Sequence, residues 1–200
     1  MAIKTANNQS MSAITALPSG VSAKSLILLA TETASSSATI SFDSNIDSTY
    51  KEYIIKYIDI HPSAGDNHFT VNFRDGGSSY DATKTSTMFR AYHREDGTNQ
   101  ALSYVAGGDL AQATGVQQLG QSVDAANDST ISGELYLFDP SSTTFVKHFI
   151  ARSQEVTYEA TSQEFYVSGY CNVTAAIDGV QFAMSSGNID AGTFKLYGVV

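Results

Sequence analysis

Short runs of alternating apolar and polar residues recur along the chain from residue 25 to residue 200. In residues 68–74, for example, Phe69, Val71 and Phe73 alternate with polar residues, which is the two-residue period of a half-buried β-strand. Turn-forming residues separate these runs roughly every 10 to 15 residues, and no run has the 3.6-residue period of a helix. The pattern predicts about ten strands, at residues 26–29, 38–42, 50–60, 68–74, 85–94, 131–138, 145–152, 164–172, 176–184 and 192–199, with a short additional one at 116–119.

Many short strands without intervening helices predict an all-β fold, either an antiparallel sandwich or a barrel, and exclude a doubly wound α/β fold. The apolar run at residues 26–29 predicts a buried strand. The longest strand, residues 50–60, has two apolar faces, one with Tyr53, Ile55 and Tyr57 and the other with Ile54, Ile58 and Ile60. Eight side chains with strand alternation are expected in the core: Phe42, Ile55, Phe69, Phe73, Leu135, Leu137, Phe182 and Leu196.

The first 24 residues differ in composition from the rest of the chain. They contain no aromatic side chain, and their Ser, Thr, Gly and Asn content disfavours a stable isolated helix. We therefore expect an extended N-terminal arm, residues 1–24, followed by one β-domain, residues 25–200. Two interpretations stay open: a frayed terminus, or an anchor that becomes ordered on a neighbouring subunit. The apolar residues that such an anchor would bury against its partner are Ile3, Met11, Ile14 and Leu17.

Charge narrows the range of partners. With 11 Lys and Arg against 20 Asp and Glu, the formal net charge is −9, which argues against nucleic acid and against an anionic membrane surface as partners. No stretch is apolar enough to cross a bilayer, and the N-terminus lacks the apolar segment of a secretory signal. The prediction is a protein made in the cytoplasm, whose single cysteine, Cys171, is buried and unreactive.

Neither a Gly-x-Ser-x-Gly nucleophile motif nor a phosphate-binding loop is present, so nothing in the sequence supports catalysis. His61, Asp66 and His68 have the residue types of a metal site, but the proline turn between the two histidines favours a polar cluster instead. A candidate calcium loop lacks the ligand order of an EF-hand and consists of Asp124, Asn127 and Asp128. We expect no metal and no other cofactor.

The remaining titratable candidates have simpler interpretations. His93 is expected to be an exposed strand-end residue, and His148, which alternates with Val146 and Ile150, a partly buried and hydrogen-bonded one. Three acids could supply the carboxylate pair of a glycosidase, although a solvated edge that resists strand-to-strand aggregation is the favoured interpretation: Glu155, Glu159 and Glu164.

Six segments carry a resemblance to a known group of proteins: residues 47–53, 89–93, 133–144, 177–182, 185–189 and 192–199. The most specific part is Ser-Gly-Asn at 186–188 followed by Gly-Thr-Phe-Lys-Leu-Tyr-Gly-Val at 192–199. Through these motifs residues 25–200 are similar to virion structural proteins of tailed bacteriophages, notably phages of marine bacteria.

The resemblance implies a jelly-roll-like β-sandwich that is carried on heads, necks or tail fibres and has no catalytic residues. We therefore expect a non-enzymatic virion structural protein that decorates, or is attached to, the capsid, neck or tail by its N-terminal arm. Its partners would be other virion proteins and copies of itself in a homo-oligomer, with a trimer as the favoured assembly.

Two other functions remain open. One is a tail-fibre or receptor-binding module that recognises a host surface glycan with aromatic residues near turns, although the absence of tryptophan argues mildly against it. The tyrosines that fit this position are Tyr80, Tyr104, Tyr158 and Tyr197. The other is a fibre-borne depolymerase, which would require converging carboxylates.

Overall fold

The computed structural model describes residues 25–200, and all regular secondary structure within them is β. The predicted arm, with Ile3, Met11, Ile14 and Leu17, lies outside the described residues. Twelve strands are present in the described part: β1 (Leu26–Ser37), β2 (Thr39–Phe42), β3 (Glu52–Pro62), β4 (Asn67–Arg74), β5 (Lys84–Arg94), β6 (Gln100–Tyr104), β7 (Gln117–Val123), β8 (Ile131–Phe138), β9 (Lys147–Val156), β10 (Thr161–Cys171), β11 (Gly179–Met184) and β12 (Ile189–Val199).

Two antiparallel sheets of unequal width pack against each other as a β-sandwich, which confirms the predicted fold class. The large sheet has eight strands in the order β1-β12-β3-β8-β9-β10-β5-β6, and the small sheet has four in the order β2-β11-β4-β7. The small sheet lies over the middle of the large one, because β6 has no buried residue and β1 has only one, Ala34. The large sheet therefore extends beyond the small sheet at both sides.

An aromatic cluster joins the two sheets at the centre. Phe69 and Phe182 of the small sheet stack with ring centroids 5.7 Å apart, and Tyr57 and Phe194 of the large sheet approach them with centroids 5.1 to 6.2 Å away. All four side chains are completely buried. Offset and tilted aromatic contacts of this kind add to the free energy that area burial alone contributes. Each of the eight predicted core residues is buried: Phe42, Ile55, Phe69, Phe73, Leu135, Leu137, Phe182 and Leu196.

Tyr57 occupies the space above Gly133 on the neighbouring strand β8. A Cβ atom at position 133 would lie only 2.7 Å from Cε2 of Tyr57, so this position requires glycine. The buried hydroxyl of Tyr57 shares a 2.5 Å hydrogen bond with Oγ of Ser153, and burial raises the pKa of the phenol above its ordinary value. Glycine on one strand thus provides the volume that a large ring on the next strand fills.

A bulge in β3 changes the face on which Ile60 lies. The register with β8 shifts between Tyr57 and Ile60, and Asp59 within the bulge has a positive φ of 52°. Ile58 consequently stays exposed on the outer face, whereas Ile60 turns inward and is fully buried. The prediction that both isoleucines share a face is wrong, because strict alternation does not survive an inserted residue.

The first strand is not the buried strand that its apolar sequence predicts. Among residues 25–200, β1 is the outermost strand of the large sheet and pairs with β12 alone. Leu26 and Leu28 are exposed, the latter by 53%. An apolar run at a sheet edge without a covering layer remains at the surface, and its composition alone cannot reveal this.

Two further edge strands, near the middle of the chain, also differ from the predicted pattern. The sequence pattern does not predict β6, and β7 is longer than the predicted segment 116–119. Both are edge strands with few large apolar residues, so neither shows a clear alternation. A hairpin at Asp96-Gly97, a dipeptide that favours such turns, joins β5 to β6, with Gly97 at a φ of 72°.

Replacing Phe182 by Ala is expected to lower the free energy of unfolding by about 3 to 5 kcal/mol, because the deletion leaves a cavity inside the aromatic cluster. The matched control is Phe145→Ala, since Phe145 is 71% exposed and its loss should change stability by less than about 0.5 kcal/mol. Chemical denaturation of both variants measures the difference. Equal effects from the two substitutions would contradict the packing described.

Candidate functional site

The inner face of the large sheet changes character where the sheet extends beyond the small one. On β5, Met88 is fully buried in the core, and the next residues on the same face are Arg90, Tyr92 and Arg94, all partly exposed. Because alternate residues of a strand point to the same side, these three polar side chains lie on the face that forms the core elsewhere. The part of the large sheet that extends beyond the small sheet at β5 and β6, which we call the overhang, therefore presents a polar inner surface.

A cavity of about 250 Å³, which we call the overhang cavity, lies on this surface. Strand register places Gln163 and Thr161 of β10 opposite Tyr92 and Arg94 of β5. On the other side of β5, small β6 residues lie opposite the same face, which keeps that side open. Every residue that lines the cavity carries a polar group: Arg90, Tyr92, Arg94, Asn99, Ser122, Thr157, Tyr158, Glu159, Thr161 and Gln163.

Arg90 is the cation in this cavity that has no acidic partner. Its Nη1 donates a 2.8 Å hydrogen bond to Oε1 of Gln163, and its guanidinium lies 5.2 Å from the centre of the Tyr92 ring. Within residues 25–200, no carboxylate lies within 4.0 Å of it, and its buried Nε has no hydrogen-bond partner. Arg90 is thus oriented by its neighbours and forms no ion pair with an acidic side chain of residues 25–200, although its charge acts on the Glu155 carboxyl group through space.

Arg94, four residues further along the same face, is compensated. Its Nη1 lies 3.1 Å from Oε2 of Glu159, and its Nε lies 3.6 Å from Oδ2 of Asp96. These are partly exposed ion pairs, which contribute little to stability but do balance charge. The positive charge that the cavity offers to a ligand therefore belongs mainly to Arg90.

Glu155 lies on β9 directly opposite the cavity residue Gln163 and is completely buried. Its Oε1 accepts hydrogen bonds from the backbone N–H of Gln121 at 3.2 Å and from Nε2 of Gln163 at 3.3 Å, while Oε2 has no partner among the described residues. Burial raises the pKa of Glu155 well above the ordinary carboxyl value, which favours the protonated form. Gln163 therefore links a buried carboxyl group to the guanidinium of Arg90.

This burial corrects the interpretation of the three candidate acids as a solvated edge. Only Glu159 is exposed in a turn, and Glu164 lies on the outer face of β10, ion-paired with Arg152. Glu155 and Glu164 are on opposite faces of the large sheet because one points inward from β9 and the other outward from β10. The three carboxyl groups do not converge.

The histidines and the acidic loop do not form a metal site. No group of three or more His, Cys, Asp or Glu side chains within residues 25–200 is placed to hold an ion. His61 places Nε2 3.2 Å from the carbonyl oxygen of Ala126 in the acidic loop. In the acidic loop, Oδ1 of Asp124 accepts a hydrogen bond from the N–H of Ala125, and Asn127 and Asp128 are exposed.

His93 is exposed at the end of β5, as predicted, whereas the prediction for His148 is wrong. His148 and Ile150 are both exposed on the outer face of β9, and their neighbours Lys147 and Phe149 are the buried residues. The sequence Lys-His-Phe-Ile carries a polar and an apolar residue on each face, so hydropathy does not identify the inner one.

Cys171 is buried, as predicted, but between two lysines that lie far from it in sequence. Strand register places Lys84 of β5 and Lys147 of β9 directly opposite Cys171 of β10, and all three residues are completely buried. Nζ of Lys84 donates to Oδ1 of Asn72 at 2.5 Å, and Nζ of Lys147 donates to the carbonyl of Val173 at 2.6 Å. Polar backbone and side-chain oxygens thus stabilise each buried ammonium group.

Burial shifts the pKa values within this row in opposite directions. It lowers the pKa of Lys84 to about 8 and raises the pKa of Cys171 to about 12, because the charged form of each group is disfavoured away from water. The two lysines oppose the shift of the thiol but do not overcome it. A thiol with so high a pKa is a poor nucleophile, in agreement with the expected unreactive cysteine.

The outer face of the overhang carries an exposed apolar surface, which we call the edge patch and define as Phe89, Leu102 and Tyr104. Phe89 and Tyr104 lie directly opposite each other on β5 and β6, and Leu102 shares their face. Leu102 is 73% exposed and Tyr104 57% exposed. On the other side, the Phe89 ring stacks on Tyr166 with a centroid distance of 4.9 Å.

Two of the four tyrosines proposed as contact residues are well exposed. Tyr104 belongs to the edge patch, and Tyr158 lines the overhang cavity. Tyr80 is partly buried and donates a hydrogen bond to Oδ1 of Asp43, and Tyr197 is partly buried on β12. Sequence reasoning missed Arg90, whose role depends on strands that lie far apart in the chain.

Comparisons of the chain with models of protein families, with curated proteins and with solved structures find no match. Residues 25–200 also contain no helix that could span a membrane.

The buried row formed by Lys84, Cys171 and Lys147 predicts how the free energy of unfolding changes with pH. The unfolded state keeps Lys84 protonated up to about pH 10, whereas the folded state releases that proton near pH 8, so the unfolded state binds more protons between these values. The free energy of unfolding should therefore rise by about 1 kcal/mol between about pH 7 and pH 9 because of Lys84.

The measurement is chemical denaturation at several pH values in a Cys171→Ala background. That background removes the opposing effect of the thiol, whose unfolded form ionises first and so lowers stability as the pH rises. The control is Cys171→Ala combined with Lys84→Met, which should show a much smaller rise. An identical pH dependence of the two proteins would contradict the assignment to Lys84.

Proposed function

We propose that this protein is a non-enzymatic structural protein of a tailed-phage virion, which decorates or attaches to the capsid, neck or tail and associates with copies of itself. The observation that carries the proposal is the edge patch beside β6, the strand that ends the large sheet within residues 25–200. The resemblance of residues 25–200 to phage virion proteins supplies the biological setting.

The edge patch has the properties of an interface with another subunit. β6 ends the large sheet, and its sequence Gln-Ala-Leu-Ser-Tyr contains no charged residue and no proline. Monomeric proteins usually protect an edge strand with charged residues, proline or a covering element. An uncharged edge strand with Leu102 and Tyr104 exposed beside it therefore favours coverage by another subunit.

Association with copies of the same chain is the simplest way to cover this surface. In a trimer, the assembly we favour, the edge patch of one copy would pack on a different surface of the next, because cyclic three-fold assemblies use heterologous contacts. The net charge of −9 resists non-specific clumping of assembled particles. Divergence of the carboxyl groups of Glu155 and Glu164 supports a non-enzymatic role over a depolymerase.

Introducing a charge into the edge patch should abolish self-association. We expect the wild-type chain to form a homo-oligomer and Leu102→Glu to be monomeric, because association would bury an unpaired carboxylate. Size-exclusion chromatography with light scattering measures both masses. The matched control is Ile150→Glu, which places the same charge on the outer face of β9 and should leave the oligomer intact. A monomeric wild type, or a Leu102→Glu variant that assembles normally, would refute the interface.

Removing residues 1–24 should leave a folded body that no longer enters the particle. The reason is that Ile3, Met11, Ile14 and Leu17 have no apolar partners nearby in sequence and would gain burial only on a neighbouring subunit. Immunodetection in purified virions measures incorporation, and circular dichroism measures folding.

A full-length chain with Ile14→Asp and Leu17→Asp provides a second variant and should also be lost from particles. Incorporation of both variants at the wild-type level would show that the arm is a frayed terminus. Failure of the truncated body to fold would instead make the arm part of the sandwich and would equally overturn the anchor.

A second candidate function is recognition of a host surface glycan, and the overhang cavity is the specific observation that favours it. Its lining is polar throughout, with the exposed ring of Tyr158 at its rim, which is the combination that suits a sugar. Attachment to the virion and glycan binding are compatible, because the cavity and the edge patch lie on opposite faces of the overhang.

A further inference from the structure

The overhang cavity contains an arginine, Arg90, that has no ion-pair partner among residues 25–200. Arg90 is partly buried, its Nε is inaccessible and without a hydrogen-bond partner, and no carboxylate within residues 25–200 lies within 4.0 Å of it. Withdrawing a charge from water without pairing it costs free energy. The hydrogen bond to Gln163 and the face of the Tyr92 ring compensate only part of that cost. An anion in the cavity would complete the compensation.

The charge balance of the lining favours a group with a single negative charge. Arg94 is already paired with Glu159, so one positive charge, that of Arg90, remains for a ligand. A dianion would be repelled by the Glu159 carboxylate at the same cavity. A planar guanidinium whose orientation is fixed by neighbours also suits two parallel hydrogen bonds to one carboxylate or sulfate group.

The size and polarity of the cavity favour one sugar ring as the carrier of that charge. Its volume of about 250 Å³ is below the range of roughly 300–1,000 Å³ typical for larger ligands. Side chains from three separate segments, Asn99, Ser122 and Thr157, can exchange hydrogen bonds with several hydroxyl groups. The ring of Tyr158 offers an apolar face and a hydroxyl at the rim.

We propose that the overhang cavity binds a single monoanionic sugar residue of a surface polysaccharide, with Arg90 pairing its carboxylate or sulfate group. This proposal rests on the second candidate function, glycan recognition. Gln163 is a positioning residue, because its Oε1 accepts from Arg90 while its Nε2 donates to the buried Glu155. Because the guanidinium is oriented before the ligand arrives, less conformational entropy is lost on binding.

The test is titration of the full-length protein by calorimetry with four small probes: glucuronic acid, glucose 6-sulfate, neutral glucose and inorganic phosphate. We expect glucuronic acid, glucose 6-sulfate or both to bind with a Kd on the order of 1 mM, and the comparison identifies the anionic group. Glucose and phosphate should bind at least about tenfold more weakly, since one lacks the charge and the other the ring.

Variants assign the binding to Arg90. Arg90→Gln should weaken binding of the acidic sugar at least about tenfold by removing the charge, and Arg90→Lys should weaken it less, because the charge stays while the planar pair of donors is lost. The matched control is Arg152→Gln, which removes an arginine from the outer face of the large sheet and should not change binding. Melting temperatures verify that each variant is folded. If Arg90→Gln does not fold, the binding affinity of Arg90→Lys tests the assignment instead.

The proposal is overturned if no acidic sugar binds, if glucose or phosphate binds equally well, or if Arg152→Gln is as damaging as Arg90→Gln. A pull-down of the wild type and Arg90→Gln with host polysaccharide distinguishes failure of this binding site from failure of glycan recognition as a function. Equal retention of both proteins keeps glycan recognition and rejects this site. If the acidic sugar binds at Arg90 but the polysaccharide retains neither protein, the sugar site is supported and the host polysaccharide is rejected as its ligand.

Discussion

The unequal width of the two sheets determines how the rest of the molecule is organised. A sheet of eight strands has an inner face that must be covered, and within residues 25–200 four strands are available to cover it. Covering is complete in the middle, where Phe69 and Phe182 meet Tyr57 and Phe194 in the aromatic cluster. On the β5 side of this region apolar burial ends and the inner face becomes polar, and within residues 25–200 no further strand covers the edge strands β1 and β6.

Buried polar groups mark the limits of the apolar core. Lys84 and Lys147 lie on either side of Cys171 at one end of three adjacent strands, and Glu155 lies near the other end of the same strands. Each makes hydrogen bonds that reduce the cost of its burial, such as the bond between Lys84 and Asn72. A slip of one residue in any of these strands would move its buried polar group to the outer face, so these groups also specify the register.

The overhang presents two different surfaces because it is one sheet thick. Arg90 points to the inner side of β5, whereas its sequence neighbour Phe89 points to the outer side. The inner side forms the overhang cavity and the outer side forms the edge patch. A single strand thus supplies the residues for both proposed contacts, with a ligand and with another copy of the chain. Strand alternation keeps the two surfaces separate although they are adjacent in sequence.

The sequence by itself determined the all-β class, most strand positions and the eight core residues, because strict alternation such as Phe69, Val71 and Phe73 depends only on local order. Only the tertiary structure decided which strands lie at edges and which face of β5 points inward. The more polar face of β5 points inward; the small sheet contacts it near Lys84 and Ser86 but does not cover it from Arg90 to Arg94. The convergence of β5, β10 and the turn before β10 on one cavity, like the burial of Glu155, arises from pairing between distant segments, and no local pattern of residues records which strands will be neighbours.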